Sequence, residues 1–215
     1  SKSKRNVVDP EAIISTYGAD TARWFMLSDS PPERDMEWTD AGVEGAWRFT
    51  QRLWRLVSEN LEKLPDSGAP LPGGLSSAAD ELRRTVHKTV AACGEDLEFF
   101  RFNRAVARIY ELANSLGAFS ARDAGDYWVL REGLELLVRL VGPMMPHLAE
   151  ELWQLLGHSG FLVDEAWPAA ESALISDAQA TLAVRVNGKK RATITLPVDA
   201  AEELSLVLER GREAG

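Results

Sequence analysis

"TDAGVEGAWRFTQRLWRLVSENLEKL", residues 39–64, carries apolar side chains at Val43, Trp47, Trp54, Val57, Leu61 and Leu64. They recur at intervals of three, four or seven, which gathers them on one side of an α-helix. The spacing predicts one helix from Thr39 to about Leu64. Large aromatics at helical spacing pack against other helices, so Trp47, Trp54, Trp128 and Trp153 are expected inside. Downstream, "PDSGAPLPGG" (65–74) is a Pro/Gly loop. Beyond it, "ELRRTVHKTVAACGEDL" (81–97) reads as a helix, with Ser77 and Asp80 as a weak capping signal. "FNRAVARIYELANSL" (102–116) has Ala105, Ile109, Leu112 and Leu116 on its apolar side. "DYWVLREGLELLVRLVG" (126–142) closes at Gly142-Pro143, and "MPHLAEELWQLLG" (145–157) closes at Gly157. Short loops between amphipathic helices make antiparallel neighbours, so the chain is mainly α, an antiparallel helical bundle.

Upstream, Asp9 is an N-cap, with Pro10 at the first helical position, and "PEAIISTYG" ends at Gly18. "ADTARWFMLSD" (19–29) restarts a helix with Ala22, Phe25 and Met26 on one face, and the prolines of "SPPERDMEW" (30–38) make it a loop. At the other end, "TLAVRVNGKKRATITLP" (181–197) alternates around Asn187-Gly188, a hairpin signal. A two-residue turn would set Val186 against Lys189 and Val184 against Arg191, apolar beside charged. A three-residue loop ending at Gly188 shifts the pairing. It puts Leu182, Val184, Ala192 and Ile194 on one face and Arg185, Lys189 and Arg191 on the other, and is preferred. Residues 200–210 are expected to form a short helix. This tail is a small α+β piece with a β-hairpin, marginal alone.

Composition excludes several function classes. The chain has 215 residues, is 45% hydrophobic and carries a formal charge of −9, so nucleic acid could be bound only through local basic patches. The single Cys93 rules out an internal disulfide and a Cys-based zinc site, and is expected as a small buried hydrophobe. No apolar run reaches membrane-span length, so the expected location is the cytoplasm. The phosphate-loop, dinucleotide, HExxH and GxSxG signatures are missing. His87, His147 and His158 lie far apart and are expected in core or surface roles, with no metal site. Adjacent acids such as Glu150-Glu151 diverge by about 100° on a helix and make poor catalytic pairs.

The opening "SKSKRNVVDPEAIISTYGADTARWFML" resembles the segment around the KMSKS loop of class I aminoacyl-tRNA synthetases, with the basic residues, Asn6, Asp9-Pro10 and "YGADTAR" in order. "SPPERDMEWTDAGVEGAWRFTQRLWRLV", "MMPHLAEELWQLLG", "AWP" (166–168) and "VRVNGKKRATITLP" are similar to the leucyl-tRNA synthetase family. The resemblance spans about residues 1–200. It implies that residues 1–38 are a KMSKS-loop remnant with connecting helices, and 39–170 the class I anticodon-binding-type bundle. Residues 176–215 would begin a small C-terminal domain, cut short. The catalytic and editing domains would lie elsewhere in the parent chain, leaving this piece inactive by itself.

In that family ATP, with Mg2+, activates leucine, and the leucyl group then passes to tRNA(Leu). The resemblance makes Lys2 the lysine that steadies charge on the departing phosphates, with Ser1 and Ser3 in the same ATP-binding loop. The expected partner is tRNA(Leu), held by backbone and shape contacts, by a monomer with no membrane association. Arg48, Arg52 and Arg55 share one helix face, Arg101, Arg104 and Arg108 share a second, and Arg185, Lys189 and Arg191 share the hairpin face; all are candidate tRNA contacts. Glu44 before Arg48 and Glu59 after Arg55 instead suggest a surface laced with ion pairs. The alternatives are the equivalent part of an isoleucyl or valyl enzyme, or a helical protein-interaction scaffold.

Overall fold

The structure is a computed structural model that describes residues 9–29, 31–176, 179–186 and 189–197, with the side chains of Ala183, Thr193 and Ile194 alone in the last two stretches. The chain divides into two compact units, Ser1–Glu171 and Ser172–Gly215. The expected helix over 200–210 lies outside the described residues. Among those described, no helix is long and apolar enough to cross a membrane.

Helix α1 (Pro10–Tyr17) starts as its sequence dictates, with Asp9 Oδ1 accepting from the Glu11 N–H at 3.1 Å. Gly18, at φ 86°, turns the chain directly into α2 (Ala19–Asp29). The buried face of α2 is Thr21, Trp24 and Phe25, whereas Met26 is exposed. Trp24 decides that rotation. Its ring stacks on Phe49 at 5.0 Å, and its Nε1–H donates to the Tyr110 hydroxyl at 2.9 Å.

Helix α3 (Asp40–Ser58) is capped by Thr39 and buries Val43, Ala46, Phe49, Thr50, Leu53 and Val57. It ends six residues short of the expected Leu64. Asn60 Nδ2 donates to the Leu56 carbonyl at 2.8 Å, and a 3₁₀ turn, Leu61–Lys63, takes over. An Asn side chain that bonds a helix carbonyl competes with the helix's own ladder. Trp47 and Trp54, expected inside, are 42% and 40% exposed. The buried face is made by Val43, Ala46, Phe49, Thr50, Leu53 and Val57, which leaves the two indoles on its flank.

The rest of the bundle is α4 (Ser77–Glu98), α5 (Phe102–Ala118), α6 (Ala124–Val141) and α7 (Pro146–Leu155). Ser76, not Ser77, caps α4 through the Ala79 N–H, and its hydroxyl donates to Asp126 at the start of α6 at 2.7 Å. Asp123 caps α6 through the Asp126 N–H. Helix α5 buries Ala105, Ile109, Leu112 and Leu116, the face its spacing predicts. Helix α4 packs on α5 and α6, α2 on α3 and α5, and α7 on α6 and α3. The loop 65–74 is tied to α6 by the Trp128 Nε1–H on the Ala69 carbonyl and by Arg131 on the Pro65 carbonyl, each 2.8 Å.

The second unit begins with α8 (Ser172–Ile175) and contains β1 (Gln179–Val186) antiparallel to β2 (Lys189–Pro197). Next to the turn the pairing is Val186 with Lys189 and Arg185 with Lys190, the register of a two-residue connection. A shift between Val184 and Arg185 then sets Val184 opposite Ala192 and Leu182 opposite Ile194. The preferred three-residue loop is therefore not the register found. A bulge at Arg191 brings the four apolar residues into opposition instead. Ile194 is buried, and the neighbouring pair Ala183 and Thr193 is exposed, as alternation requires.

Close packing inside the bundle is most demanding at Gly133 on α6. A Cβ there would lie 2.5 Å from Leu116 Cδ2 and 3.2 Å from Val86 Cγ2, both buried side chains. Gly133→Ala is expected to lower stability by about 1–3 kcal/mol through overpacking, despite its better helix propensity. Urea denaturation of the two proteins measures this.

Candidate nucleic-acid interface

The α4–α5 connection gathers one of the arginine sets around a residue that the sequence reading passed over. Asp96, near the end of α4, is 1% exposed in its side chain. Arg108 Nε donates to its Oδ2 at 2.7 Å, and Arg104 Nε and Arg101 Nη1 lie 3.3 and 3.8 Å from its Oδ1. A carboxylate cannot be taken out of water without such compensation. The hydrogen bond to Asp96 raises the Arg108 guanidinium pKa further above its ordinary value, against the opposing effect of burial. Arg101 also reaches Glu95 at 3.5 Å. One buried carboxylate thus holds three guanidiniums in one place while their side chains stay 36–53% exposed. The Nη groups of Arg104 and Arg108 have no hydrogen-bond partner among the described residues. The only clue in the sequence was an acidic residue within the helix before the "RFNRAVAR" stripe.

The α3 set does not act as a unit. Arg52 is an internal strap, with Nη1 bonded to Asn114 Oδ1 and Nη2 3.1 Å from the Ala113 carbonyl of α5. Arg48 pairs with Glu44 at 3.5 Å, the i,i+4 pairing expected, and both side chains are exposed. Arg55 is exposed and has no side-chain partner among the described residues, so the expected pair with Glu59 does not form. Trp47 and Trp54 stand beside Arg48 and Arg55 on this outer surface.

The backbone of Arg185, Lys189 and Arg191 runs in the hairpin, and their side chains lie outside the described ones. Ser1, Lys2 and Ser3 also lie outside the described residues.

The family model described as the anticodon-binding domain of tRNA ligases matches residues 80–206, and that of class I tRNA synthetases (I, L, M and V) matches residues 1–39. The chain belongs to the tRNA-ligase anticodon-binding domain family. It is 62% identical to the leucine–tRNA ligase of Paramagnetospirillum magneticum and 55% identical to that of Parvibaculum lavamentivorans, over 93% and 98% of this chain. Those matches cover 23% and 25% of the two relatives, so the chain spans about a quarter of their length. Among solved structures it is similar to the Agrobacterium radiobacter K84 agnB2 LeuRS–tRNA–LeuAMS ternary complex, with a TM-score of 0.83 at 34% identity, over 99% of this chain and 28% of that one. A methionyl-tRNA synthetase from Mycobacterium tuberculosis shares the fold, with a TM-score of 0.64 at 20% identity, over 74% of this chain and 36% of that one.

Other polar clusters of this anticodon-binding domain serve its architecture. Arg83 bonds Glu132 at 2.8 and 3.0 Å and also reaches Glu171, whose N–H donates to His87 Nδ1 at 3.1 Å. His87, Glu132 and Glu171 have the proximity of a metal-ligand set, but the Arg83 guanidinium already occupies both carboxylates. His147 contacts Asp20 at 2.9 Å, and His158 lies flat on Trp153 with 3.5 Å between ring centroids. Cys93 is fully buried and its thiol is pushed up to about 12 by burial, so it behaves as the small hydrophobe expected. A cavity of about 370 Å³ beside the α6–α7 turn is lined by Arg23, Arg139, Glu150 and Trp167, among others. Three of its charged groups are bound to main chain: Arg23 to Pro143 and Met144, Arg139 to Ala166, and Glu150 to Leu162 and Val163.

Two outcomes follow from this chemistry. Asp96→Asn is expected to cost about 2 kcal/mol, the worth of charge-assisted hydrogen bonds to a buried carboxylate, read as a lower urea midpoint with an unchanged slope. Burial alone would raise the Glu132 carboxyl; His87 Nε2, 3.4 Å away, and the Arg83 guanidinium bonded to both its oxygens outweigh it and hold it below its ordinary 4.5. A depressed carboxyl contributes stability above its unfolded pKa and loses it as pH falls through the folded value. Stability measured against pH should therefore fall below about pH 4.5, and Glu132→Gln should flatten that fall.

Proposed function

We propose that the chain is the tRNA-positioning part of a leucine–tRNA ligase. The parent enzyme joins leucine to ATP, with Mg2+, and passes the leucyl group to tRNA(Leu) in the cytoplasm. What carries the reading is the agreement of the leucine–tRNA ligase likeness along the chain with a basic cluster that one buried carboxylate holds at the surface. Residues 1–38 form the end of the KMSKS loop and its connecting helices, 39–170 the anticodon-binding-type bundle, and 176–215 the start of a C-terminal domain. Lys2, with Ser1 and Ser3, meets the ATP phosphates in the parent enzyme; no described residue is assigned to ATP or Mg2+.

The bundle grips the tRNA backbone as a monomer. Phosphates are taken by Arg101, Arg104, Arg108, Arg48 and Arg55, and by the hairpin's Arg185, Lys189 and Arg191, while Arg52 serves the α3–α5 contact. Such contacts position an RNA without reading its sequence. Cation release makes them weaken with salt, so three neutralised phosphates predict about a tenfold or greater loss of tRNA affinity between about 50 and 200 mM salt. Arg104→Ala combined with Arg55→Ala should weaken binding and lower the salt slope by about two phosphates' worth. Filter binding or anisotropy with a leucine tRNA transcript reads both effects. Binding that ignores salt but depends on the anticodon bases would overturn the proposal.

A further inference from the structure

Phe99 is the C-cap of helix α4, and the next residue, Phe100, is left-handed at φ 56°, the one described non-glycine residue with positive φ. The Phe100 N–H bonds the Leu97 carbonyl at 3.1 Å and the Arg101 N–H bonds the Asp96 carbonyl at 2.7 Å. This is a helix terminus at which glycine serves without steric cost and a bulky side chain is strained. No burial repays the strain. Phe99 is 58% exposed and Phe100 is 65% exposed, and neither belongs to the hydrophobic core or the shell packed on it. Their ring contacts are local: Arg101 lies over Phe99 at 4.9 Å, and Phe100 meets Phe102 edge-on at 5.8 Å. Residues held in strained backbone with no gain in packing cluster at functional sites, which makes this pair of rings a candidate contact surface.

The neighbours of these rings indicate what they meet. Asp96 draws Arg101, Arg104 and Arg108 to the same corner, each with a partly exposed side chain. Exposed aromatic faces among arginines suit unpaired nucleotides, whose bases stack on the rings while their phosphates meet the cations. An apolar protein partner would leave these cations facing a surface with no charge for them.

We propose that the α4–α5 corner is a nucleotide-stacking contact, in which Phe100 and Phe99 receive unpaired bases of the bound RNA and Arg101 and Arg104 take the adjoining phosphates. This inference rests on the tRNA-positioning reading and adds to it a sequence-tolerant hold on bases that are not in a duplex. A helical stem offers no free base faces, so the contact falls on a loop or an unstacked junction.

Phe100→Gly separates this role from a structural one, because it relieves the left-handed strain while removing the ring. The variant should melt at the same temperature as the parent chain or higher, yet bind the leucine tRNA transcript and a short unstructured oligoadenylate about tenfold more weakly at fixed salt. Its salt slope should be unchanged, since no charge is lost, and Phe100→Trp should restore binding. If the chain binds tRNA and Phe100→Gly binds it equally well, the stacking contact is wrong and the positioning role stands. If the unaltered chain binds neither RNA, both are wrong. A concentration-dependent dimer in sedimentation that Phe100→Gly abolishes, with tRNA affinity unchanged, would assign the corner to a protein surface and overturn the proposal.

Discussion

Asp20 and Arg23, one turn apart on α2, hold the two sides of the α6–α7 turn, and the arrangement of the bundle follows from that grip. The Asp20 carboxylate accepts the Leu148 N–H at 2.7 Å, one of the donors that the first turn of α7 leaves without a helical partner. Arg23 donates to the Pro143 and Met144 carbonyls at 2.7 and 3.1 Å, acceptors released where α6 ends. Between them in sequence, Thr21 and Ala22 sit against the bundle, and Trp24 fills the space between Phe49 of α3 and Tyr110 of α5. One short helix thereby fixes α3, α5, α6 and α7 relative to one another. A set of backbone groups that would otherwise be stranded at helix ends becomes the means of assembly.

Several of the described arginines serve the fold first. Arg83 and Arg131 are largely buried and bind carboxylates or carbonyls, Arg52 ties α3 to α5, and Arg139 reaches the Ala166 carbonyl. With a formal charge of −9, the protein as a whole repels RNA. Any affinity must come from cations that remain partly hydrated after their structural bonds are made. The α4–α5 corner meets that condition because three arginines share a single buried acid.

Much of the bundle could be read from residue spacing. The buried face of α5, the Asp9 cap with Pro10, and the glycine closing α7 (Gly157, φ 89°) are local matters of helical periodicity and backbone freedom. The register of α2 was not legible, because Thr21, Trp24 and Phe25 face inward only in answer to Phe49 and Tyr110, which arrive from other helices. Trp47 and Trp54 mislead for a related reason. Their spacing fits an apolar stripe, but the buried face is centred on the neighbouring Ala46, Phe49, Thr50 and Leu53 instead. In the hairpin, alternation brought out the apolar residues and could not reveal the bulge that reconciles them with the turn.

The candidate site divides along the same line. Sequence alone determined the helical segments, the Asp9 cap, the family likeness and the presence of arginines at helical intervals, because propensity, capping and periodicity act between residues a few positions apart. Tertiary structure alone decided which arginines remain at the surface with donors to spare. Arg52 and Arg101 look alike in sequence, yet one meets Asn114 and the Ala113 carbonyl of a packed neighbour while the other lies at an open corner beside Asp96 and two exposed phenylalanines. A guanidinium's partners are set by what comes within about 3 Å of it, and that depends on contacts between elements distant in the chain.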